Sequence, residues 1–561
     1  EIPLRLVGSE MCIRDSNYIE ETFMTNNQTF GLIVLIFIIL IAIVNITVSF
    51  IERRKTIAKI NTLWDRKAKL ETFIRPNSRF DAQYQEYKDN YTEQHPLIDD
   101  KTWSDLNIEA LFHKINFNFT AIGEMKLYAT LRGMFSIENQ SLIKRYSEDK
   151  SFRLNVSYIL SKIGKTVYPL FPDQLTPIPK NNLLMFCPLL PLIAFLSIFI
   201  SPEIGVFLFI GSFFLNIVLS LNLKKTYEQD LKSIFYTANV IKQCKALSKI
   251  EGTPDININF NHFKNSRRFS GLLAQLESND VVGSTIMLVK LMFMVDYVLF
   301  HLIQHSYFKY QNEVEECYDY ISTLDNHYSL AMYRRTLTHY CIPHADQYME
   351  GMHFQSLIHP LIDEEVAVPN DLNLDTNLLL TGSNASGKST FMKAVALNVI
   401  MAQSLNIATA ESFNYQPGYV FTSMANADDV LSGDSYFMAE LKSIRRLFNI
   451  HTQAKIYCFI DEIFKGTNTT ERIAASESVL SYLNELPNYQ VVAATHDIEL
   501  STLLEKDYHN YHFNESIQNN EIYFDYKIKP GKANTRNAIE LLRITHFPDD
   551  IYHRAKTQVD E

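Results

Sequence analysis

Residues Gly382 to Ser389 read GSNASGKS, and the reading of this stretch decides the fold of the C-terminal part of the chain. An apolar strand candidate, Leu378 to Thr381, leads into it, and a helix candidate, Phe391 to Gln403, follows. The pattern GxxxxGK[ST] between a strand and a helix brings backbone N–H groups and a helix N-terminus to a point where phosphates are cradled. Gly382, Ser383, Asn384, Ala385, Ser386, Gly387, Lys388, Ser389 and Thr390 are therefore candidate nucleotide-binding residues. Lys388 would reach the β and γ phosphates as a point charge, and Ser389 would offer its hydroxyl to Mg²⁺.

Downstream pieces extend this loop to an ATPase site with ATP and Mg²⁺ as cofactors. The apolar run Lys455 to Ile460 ends in Asp461 and Glu462. Two carboxylates at a strand end suit two tasks: Asp461 would hold Mg²⁺ through its water shell, and Glu462 would orient or deprotonate the attacking water. A further run, Gln490 to Ala494, delivers His496, which can hydrogen-bond the γ phosphate or that water. Between loop and carboxylates, Ser432 to Glu440 reads SGDSYFMAE, a polar turn opening an apolar-faced helix. In ATPases that dimerise head to tail such an element donates a serine, here Ser435, to the partner's γ phosphate, so a homodimer would build composite sites. With the run Ile522 to Ile528, these short β-type segments alternate with helical ones, which predicts a mostly parallel sheet.

Working outward, the chain has 561 residues, 47% of them hydrophobic. Phe30 to Ile51 is apolar and long enough to cross a bilayer as a helix, and two more apolar runs, Leu183 to Ile200 and Ile204 to Leu221, have the spacing of a membrane hairpin. Three transmembrane helices are thus predicted. Arg53, Arg54, Lys55, Lys180, Lys224 and Lys225 flank these runs on the side expected to be cytoplasmic. A multi-pass protein of a bacterial-type inner (plasma) membrane, with its ATPase domain in the cytoplasm, is the expected localisation. A fourth run, Val281 to Ile303, carries Lys290, Asp296 and His301 and reads as a soluble core helix. Residues 1–16 resemble translated adapter sequence and stand outside the fold reasoning. The expected organisation is a membrane helix at 30–51, helical segments at 52–180 and 223–350 interrupted by the hairpin 183–222, and an ATPase domain at 356–561. The net charge of −11 gives no electrostatic reason to expect nucleic-acid binding by the whole surface, and the six cysteines lack the paired spacing of a zinc site.

Taken together, TGSNASGKST at Thr381 to Thr390, ADDVLSGDSYFMAEL at Ala427 to Leu441, DEIFKGTNT at Asp461 to Thr469 and ATHDIEL at Ala494 to Leu500 resemble the MutS family of DNA mismatch-repair ATPases. HPLI at His359 to Ile362, VPNDLNL at Val368 to Leu374 and YKIKPGKANTRNAIELL at Tyr526 to Leu542 extend the resemblance, and NFTAIGEMKLYATLR, ending at Arg132, is similar to the start of the family's helical core. The resemblance implies an ABC-like α/β P-loop ATPase domain C-terminal to an all-α core and lever region. It also implies ATP hydrolysis by Lys388, Ser389, Asp461, Glu462 and His496, with Ser435 acting across a dimer and DNA as a partner.

The chain departs from the family pattern at several points. Phe464 and Lys465 replace the usual Gly and Arg, and Ala367 stands near where an adenine-stacking aromatic is often found. Only about fifty residues separate the first apolar run from the core, too few for a mismatch-reading domain. The Phe-x-Glu triplets at Phe50 to Glu52 and Phe513 to Glu515 are not placed to enter a duplex. The expectation is a membrane-anchored MutS-like ATPase in DNA mismatch repair or a related DNA-maintenance role, without direct mismatch reading. Two alternatives stand beside it: an ATP-driven membrane scaffold or signalling protein without DNA binding, and an ABC-type transporter component, suggested by LSGDS at Leu431 to Ser435.

Overall fold

The computed structural model describes residues 40, 43–44, 46–69, 97–165, 177–273, 281–383, 386–424, 436–450, 452–518, 521–533, 538–544 and 546–560. The chain divides into two units, 1–68 and 69–561. In the first, 46–65 are helical, while the adapter-like residues 1–16 and most of Phe30 to Ile51 lie outside the described residues. The second unit holds a helical part followed by an α/β part.

The helical part opens with α1 (Asp100–Asp105), α2 (Ile108–Ile115), α3 (Ala121–Leu131), α4 (Gln140–Glu148) and α5 (Lys150–Ile163). It continues through α6 (Leu190–Ser197), α7 (Pro202–Thr226), α8 (Glu228–Leu247), α9 (Lys264–Leu273), α10 (Val281–Met292), α11 (Val295–Lys309) and α12 (Gln311–Thr336). Short polar side chains start four of the early helices by accepting from an otherwise unpaired N–H: Asp99 from Thr102, Thr120 from Gly123, Asn139 from Leu142 and Asp149 from Phe152. Along α12, Val314, Cys317, Ile321, Leu324 and Tyr328 recur every three or four residues and are buried, the stripe of a core-facing helix.

Polar bonds lock α3 against α12. The fully buried Asp325 accepts from Phe119 N at 2.9 Å, Thr120 N at 2.8 Å and Thr120 Oγ1 at 2.6 Å. Burial pushes its carboxyl up to about 6. Gly123 faces this carboxylate so closely that an added Cβ would overlap it.

The apolar hairpin differs from its sequence reading. Leu183 to Ile200 is not one continuous helix: a helical turn at Asn182–Phe186 passes into a 3₁₀ turn at Cys187–Leu189 and only then into α6. Pro188 and Pro191 lack the N–H groups that a continuous helix would use. Among the described residues only α7 is long and apolar enough to cross a bilayer, and 17% of its most apolar stretch is buried. The predicted membrane hairpin is therefore corrected to one such helix with a shorter broken arm packed on it, while the first predicted crossing, Phe30 to Ile51, lies mostly outside the described residues. Gly205 permits the close approach, since a Cβ there would overlap the Ile198 backbone. Val281 to Ile303 is likewise not one helix; it breaks at Phe293 and Met294, where Met294 adopts φ 46°.

The α/β part contains β1 (Met352–Leu357), β2 (Asn370–Leu374), β3 (Leu378–Thr381), α13 (Lys388–Leu405), β4 (Ser412–Tyr415), β5 (Gly418–Ser423), α14 (Tyr436–Arg445), β6 (Lys455–Asp461) and α15 (Thr469–Asn484). It ends with β7 (Tyr489–Ala494), α16 (Ile498–Leu503), β8 (His509–His512), β9 (Glu515–Gln518), β10 (Glu521–Phe524), β11 (Lys529–Pro530) and two helices, Ala538–Ile544 and Asp549–Asp560. Among the described residues the main sheet has the order β11-β8-β3-β7-β6-β5, parallel except for β11 at its edge. A smaller sheet pairs β4, β1 and β2 with His344–Ala345. β3 and β7 are buried at every position, as strands covered on both faces must be. Asp105 ties the helical part to β5, accepting from Thr422 Oγ1 at 2.8 Å and Met424 N at 3.1 Å.

Candidate nucleotide site

The carboxyl ends of β3, β6 and β7 lie side by side, with Leu380 paired to Ala494 and Ala494 to Asp461. Parallel pairing in this order brings Gly382, Asp461, Glu462 and His496 to one edge although up to 114 residues separate them. This is where open α/β sheets hold ligands.

Lys388, the first residue of α13, is 4% exposed and donates to the carbonyl oxygens of Gly382 at 2.7 Å and Ser383 at 2.8 Å. Burial lowers its ammonium pKa to about 8, against the opposing pull of Asp461 and Glu515. Glu462 and Phe464 both adopt left-handed backbone, with φ 56° and 59°. Such a conformation costs a side-chain-bearing residue roughly 1–2 kcal/mol. At Glu462 the N–H bond to Ala494 O, 2.9 Å, helps to hold it.

The Glu462 carboxylate meets Lys465 Nζ and His496 Nε2. His496 Nδ1 lies 3.0 Å from Gly382 O and Nε2 meets the Glu462 carboxylate, so both ring nitrogens face acceptors. Burial and then the Lys388 charge lower the His496 pKa. Asp497, the next residue, is clamped by Arg472 of α15 through bonds of 2.8 and 2.6 Å, which fixes the histidine's loop.

A cavity of about 410 Å³ opens beside the loop, lined among others by Lys388, Ser389, Thr390, Glu462, Phe513 and Tyr526. Asp461 Oδ1 and Ser386 Oγ are buried without a hydrogen-bond partner among the described residues. An orphaned carboxylate oxygen beside an ammonium and a serine hydroxyl is a donor set that suits a hydrated divalent ion next to phosphate. The residues present therefore fit Mg²⁺ and ATP. Asn384, Ala385 and Ser435 lie outside the described residues.

Four residues enter the site in roles that the sequence did not assign to them. Glu515 is 8% exposed and accepts from Ser383 Oγ, and its neighbour Phe513 packs on Phe391 at 5.7 Å. The second Phe-x-Glu triplet is thus part of the phosphate-loop wall. Lys465 pairs with the catalytic candidate Glu462. His359 lines the cavity, and burial lowers its pKa to about 4. Tyr526 presents an aromatic ring to the same cavity that Ala367 lines with a methyl group. His359 and Tyr526 each open a stretch already noted in the sequence and Glu515 closes the second Phe-x-Glu triplet, but no local signal gives Glu515 this role, since its partner lies 132 residues away.

Phe464 has a structural consequence of its own. It packs edge-on against Phe437 of α14 with centroids 6.1 Å apart, and the Glu440 carboxylate of α14 accepts from the N–H groups of Lys465 and Gly466 at 3.3 and 3.4 Å. The segment after the two carboxylates is thereby docked on α14.

Comparison with known families matches residues 378–561 to MutS domain V. The chain is similar to the DNA mismatch repair protein MutS of Lysinibacillus sphaericus (strain C3-41), with 30% identity over 277 residues, 47% of this chain and 32% of that protein. MutS of Listeria monocytogenes serotype 4a (strain HCC23) is 32% identical over 222 residues, covering 38% of this chain and 26% of that protein. The DNA mismatch repair protein HexA of Streptococcus pneumoniae serotype 4 (strain ATCC BAA-334 / TIGR4) is 30% identical over 273 residues, covering 46% and 32%. The chain spans about a third of the length of the curated relatives it matches.

Proposed function

Starting from a MutS-family chain that carries MutS domain V, we propose that it binds and hydrolyses Mg²⁺-ATP as a homodimer with composite sites and acts on DNA from the surface of a membrane. One observation carries the hydrolytic reading: Lys388, Asp461, Glu462 and His496 converge at the carboxyl ends of three adjacent parallel strands. Lys388 offers charge to phosphate oxygens, and Ser389 and Asp461 are the residues to hold Mg²⁺, which when bound supplies charge neutralisation across the β and γ oxygens. Glu462 takes a proton from the attacking water, and His496, whose Nε2 meets that carboxylate, orients it. Lys465 and His496 each meet one oxygen of the Glu462 carboxylate, which leaves lone pairs to accept from water. Ser435, by resemblance, would complete the partner's site.

The role in DNA maintenance rests on the relatives, which are named DNA mismatch repair proteins. Direct mismatch reading is not part of the proposal. The bilayer reading rests on the hairpin α6–α7, whose outward side chains Phe199, Ile200, Phe207 and Phe214 are 71–88% exposed. Apolar surface of that extent is more than a soluble monomer ordinarily leaves in water.

The deciding measurement is the ATPase rate of the full chain in vesicles, taken without DNA and with matched, mismatched and branched duplexes. Stimulation by several duplexes, weakening steeply with salt, is expected. A response confined to the mismatched duplex would overturn that expectation. Turnover indifferent to all DNA would favour the scaffold reading, which draws on the hairpin's position within the helical part.

A further inference from the structure

The corner between α10 and α11 rises beside α7 to a level inside its apolar stretch. Phe293 packs edge-on against Phe213 with centroids 5.6 Å apart. Asn216 Nδ2 donates to Met292 O at 2.9 Å and Ser220 Oγ donates to Leu291 O at 3.0 Å. From the corner the chain descends again: Met294 and Tyr297 pack with Cys187, and the Tyr297 hydroxyl accepts from Asn181 N at 3.1 Å, at the foot of the hairpin's first arm. We propose that α10 and α11 form a re-entrant wedge, its apex at Phe293–Met294 embedded in the lipid hydrocarbon alongside α7. The inference rests on the bilayer reading of the hairpin and extends it to a segment whose sequence reads as soluble core.

Depth follows from helix geometry. A hydrocarbon core of ~30 Å spans roughly twenty residues of helix. Counted from the hairpin tip at Ser201, it ends near Asn222, just before Lys224 and Lys225. Phe213 and Asn216 then lie on the order of 10 Å inside the lysine-bearing face. Lys180 stands at the foot of the other arm. These three lysines suit an anionic headgroup layer, and the same positions are where the apolar surface stops.

Three features of the corner are those that hydrocarbon demands. First, a helix that ends in lipid leaves carbonyls without water, and each orphan is expensive there. The last two carbonyls of α10 are met by side chains of α7, and Asn216, fully buried, also donates to Cys187 O at 2.9 Å where the proline-bearing arm breaks. Second, the charges of the corner neutralise each other: Lys290 Nζ lies 3.0 Å from Asp296 Oδ1, and the lysine side chain is 3% exposed. Their mutual attraction offsets part of the cost that separate charges carry in lipid, although neither Lys290 Nζ nor Asp296 Oδ1 has a hydrogen-bond partner among the described residues. Third, the described outward side chains at this level are apolar, with Leu288 50% and Val289 46% exposed on α10, beside Leu215 and Val218 on α7 at 48% and 41%. A lipid bilayer is the occupant that fits an apolar belt ending at lysines.

Tryptophan quenching in vesicles tests this. The full chain would be reconstituted in phosphatidylcholine with a minority of phosphatidylglycerol, with ordinary or acyl-brominated lipid, and the added emission compared with that of the parent chain. Phe207→Trp reports on the hairpin, Phe293→Trp on the apex, and Tyr348→Trp, 95% exposed on the α/β part, serves as the unquenched control. Brominated lipid should remove at least about half of the added emission at Phe207 and Phe293, whose expected positions fall within the ~30 Å hydrocarbon layer. Leu288→Trp provides a second reporter on α10 should Phe293→Trp fail to fold. Quenching at Phe207 without quenching on α10 overturns the wedge and leaves the hairpin reading intact. Absence of quenching at both overturns the two together.

Discussion

Two nearly equally buried lysines mark the difference between the nucleotide site and the hairpin. Lys388, 4% exposed, turns its ammonium to two carbonyl oxygens, while Asp461 keeps a buried oxygen without a partner. Lys290, 3% exposed, spends its charge on Asp296. Both places thus hold a buried lysine close to oxygen, and both leave buried oxygens without a hydrogen-bond partner among the described residues, Asp461 Oδ1 in the site and Asp296 Oδ1 and Asn216 Oδ1 at the corner. Burial alone does not distinguish function from scaffold; the surroundings do, a phosphate loop with a cavity in one place and apolar side chains in the other.

The sharpest way to break that contrast is to remove the group assigned to proton transfer. Glu462→Gln should lower kcat by about 10²–10⁴-fold while nucleotide binding is retained, since general-base contributions are of that size; unaltered steady-state turnover would refute the assignment. On the hairpin side, Lys290→Ala leaves Asp296 without its counter-charge and should destabilise the fold by about 3 kcal/mol. Thermal unfolding in vesicles would show this, and the double change Lys290→Met with Asp296→Leu should recover most of the loss.

Proton linkage offers a finer test. The folded-state pKa of Lys388, about 8, lies below the value of an exposed lysine, because burial penalises the charged form. The unfolded chain therefore holds the proton over a wider range, and this group's contribution to stability rises as the pH climbs from about 8 toward about 10.5. ATP affinity should move the opposite way, falling by up to about tenfold per pH unit above 8 as the ammonium that meets phosphate is lost. Titration calorimetry in buffers of different ionisation heat would detect the accompanying proton uptake, and its persistence in Lys388→Met would reassign the effect. The smallest effect concerns Phe464 and Phe437, whose edge-on contact should give a coupling of about 1 kcal/mol in a double-mutant cycle on stability. Additivity of the two single changes would show that the loop and α14 are independent.

Much of the site was legible because its pieces are local. A phosphate loop, a strand ending in two carboxylates and a strand followed by histidine each declare themselves within ten residues, and β3, β6 and β7 carry them to one edge. Glu515 and Lys465 were not legible: the first reaches Ser383 from another strand, and the second acquires meaning only through the left-handed turn at Glu462 and Phe464. The hairpin was legible as an apolar pair, but not the break in its first arm, where Pro188 and Pro191 outweigh hydropathy. Val281 to Ile303 was legible as helical, but its break at Phe293 and Met294 was not. The pairing of Lys290 with Asp296 across that corner is invisible until the helix is seen to turn.

By itself, then, the sequence determined which chemistry the chain can hold and where its apolar surface lies, because periodicity, phosphate-loop spacing and hydropathy are properties of consecutive residues. Tertiary structure alone decided which atoms surround each buried charge: Lys388 meets two phosphate-loop carbonyls near Asp461, and Lys290 meets Asp296 across a helix corner. That decision depends on distances between residues remote in the chain, and a buried charge has its physical meaning only through the atoms that surround it.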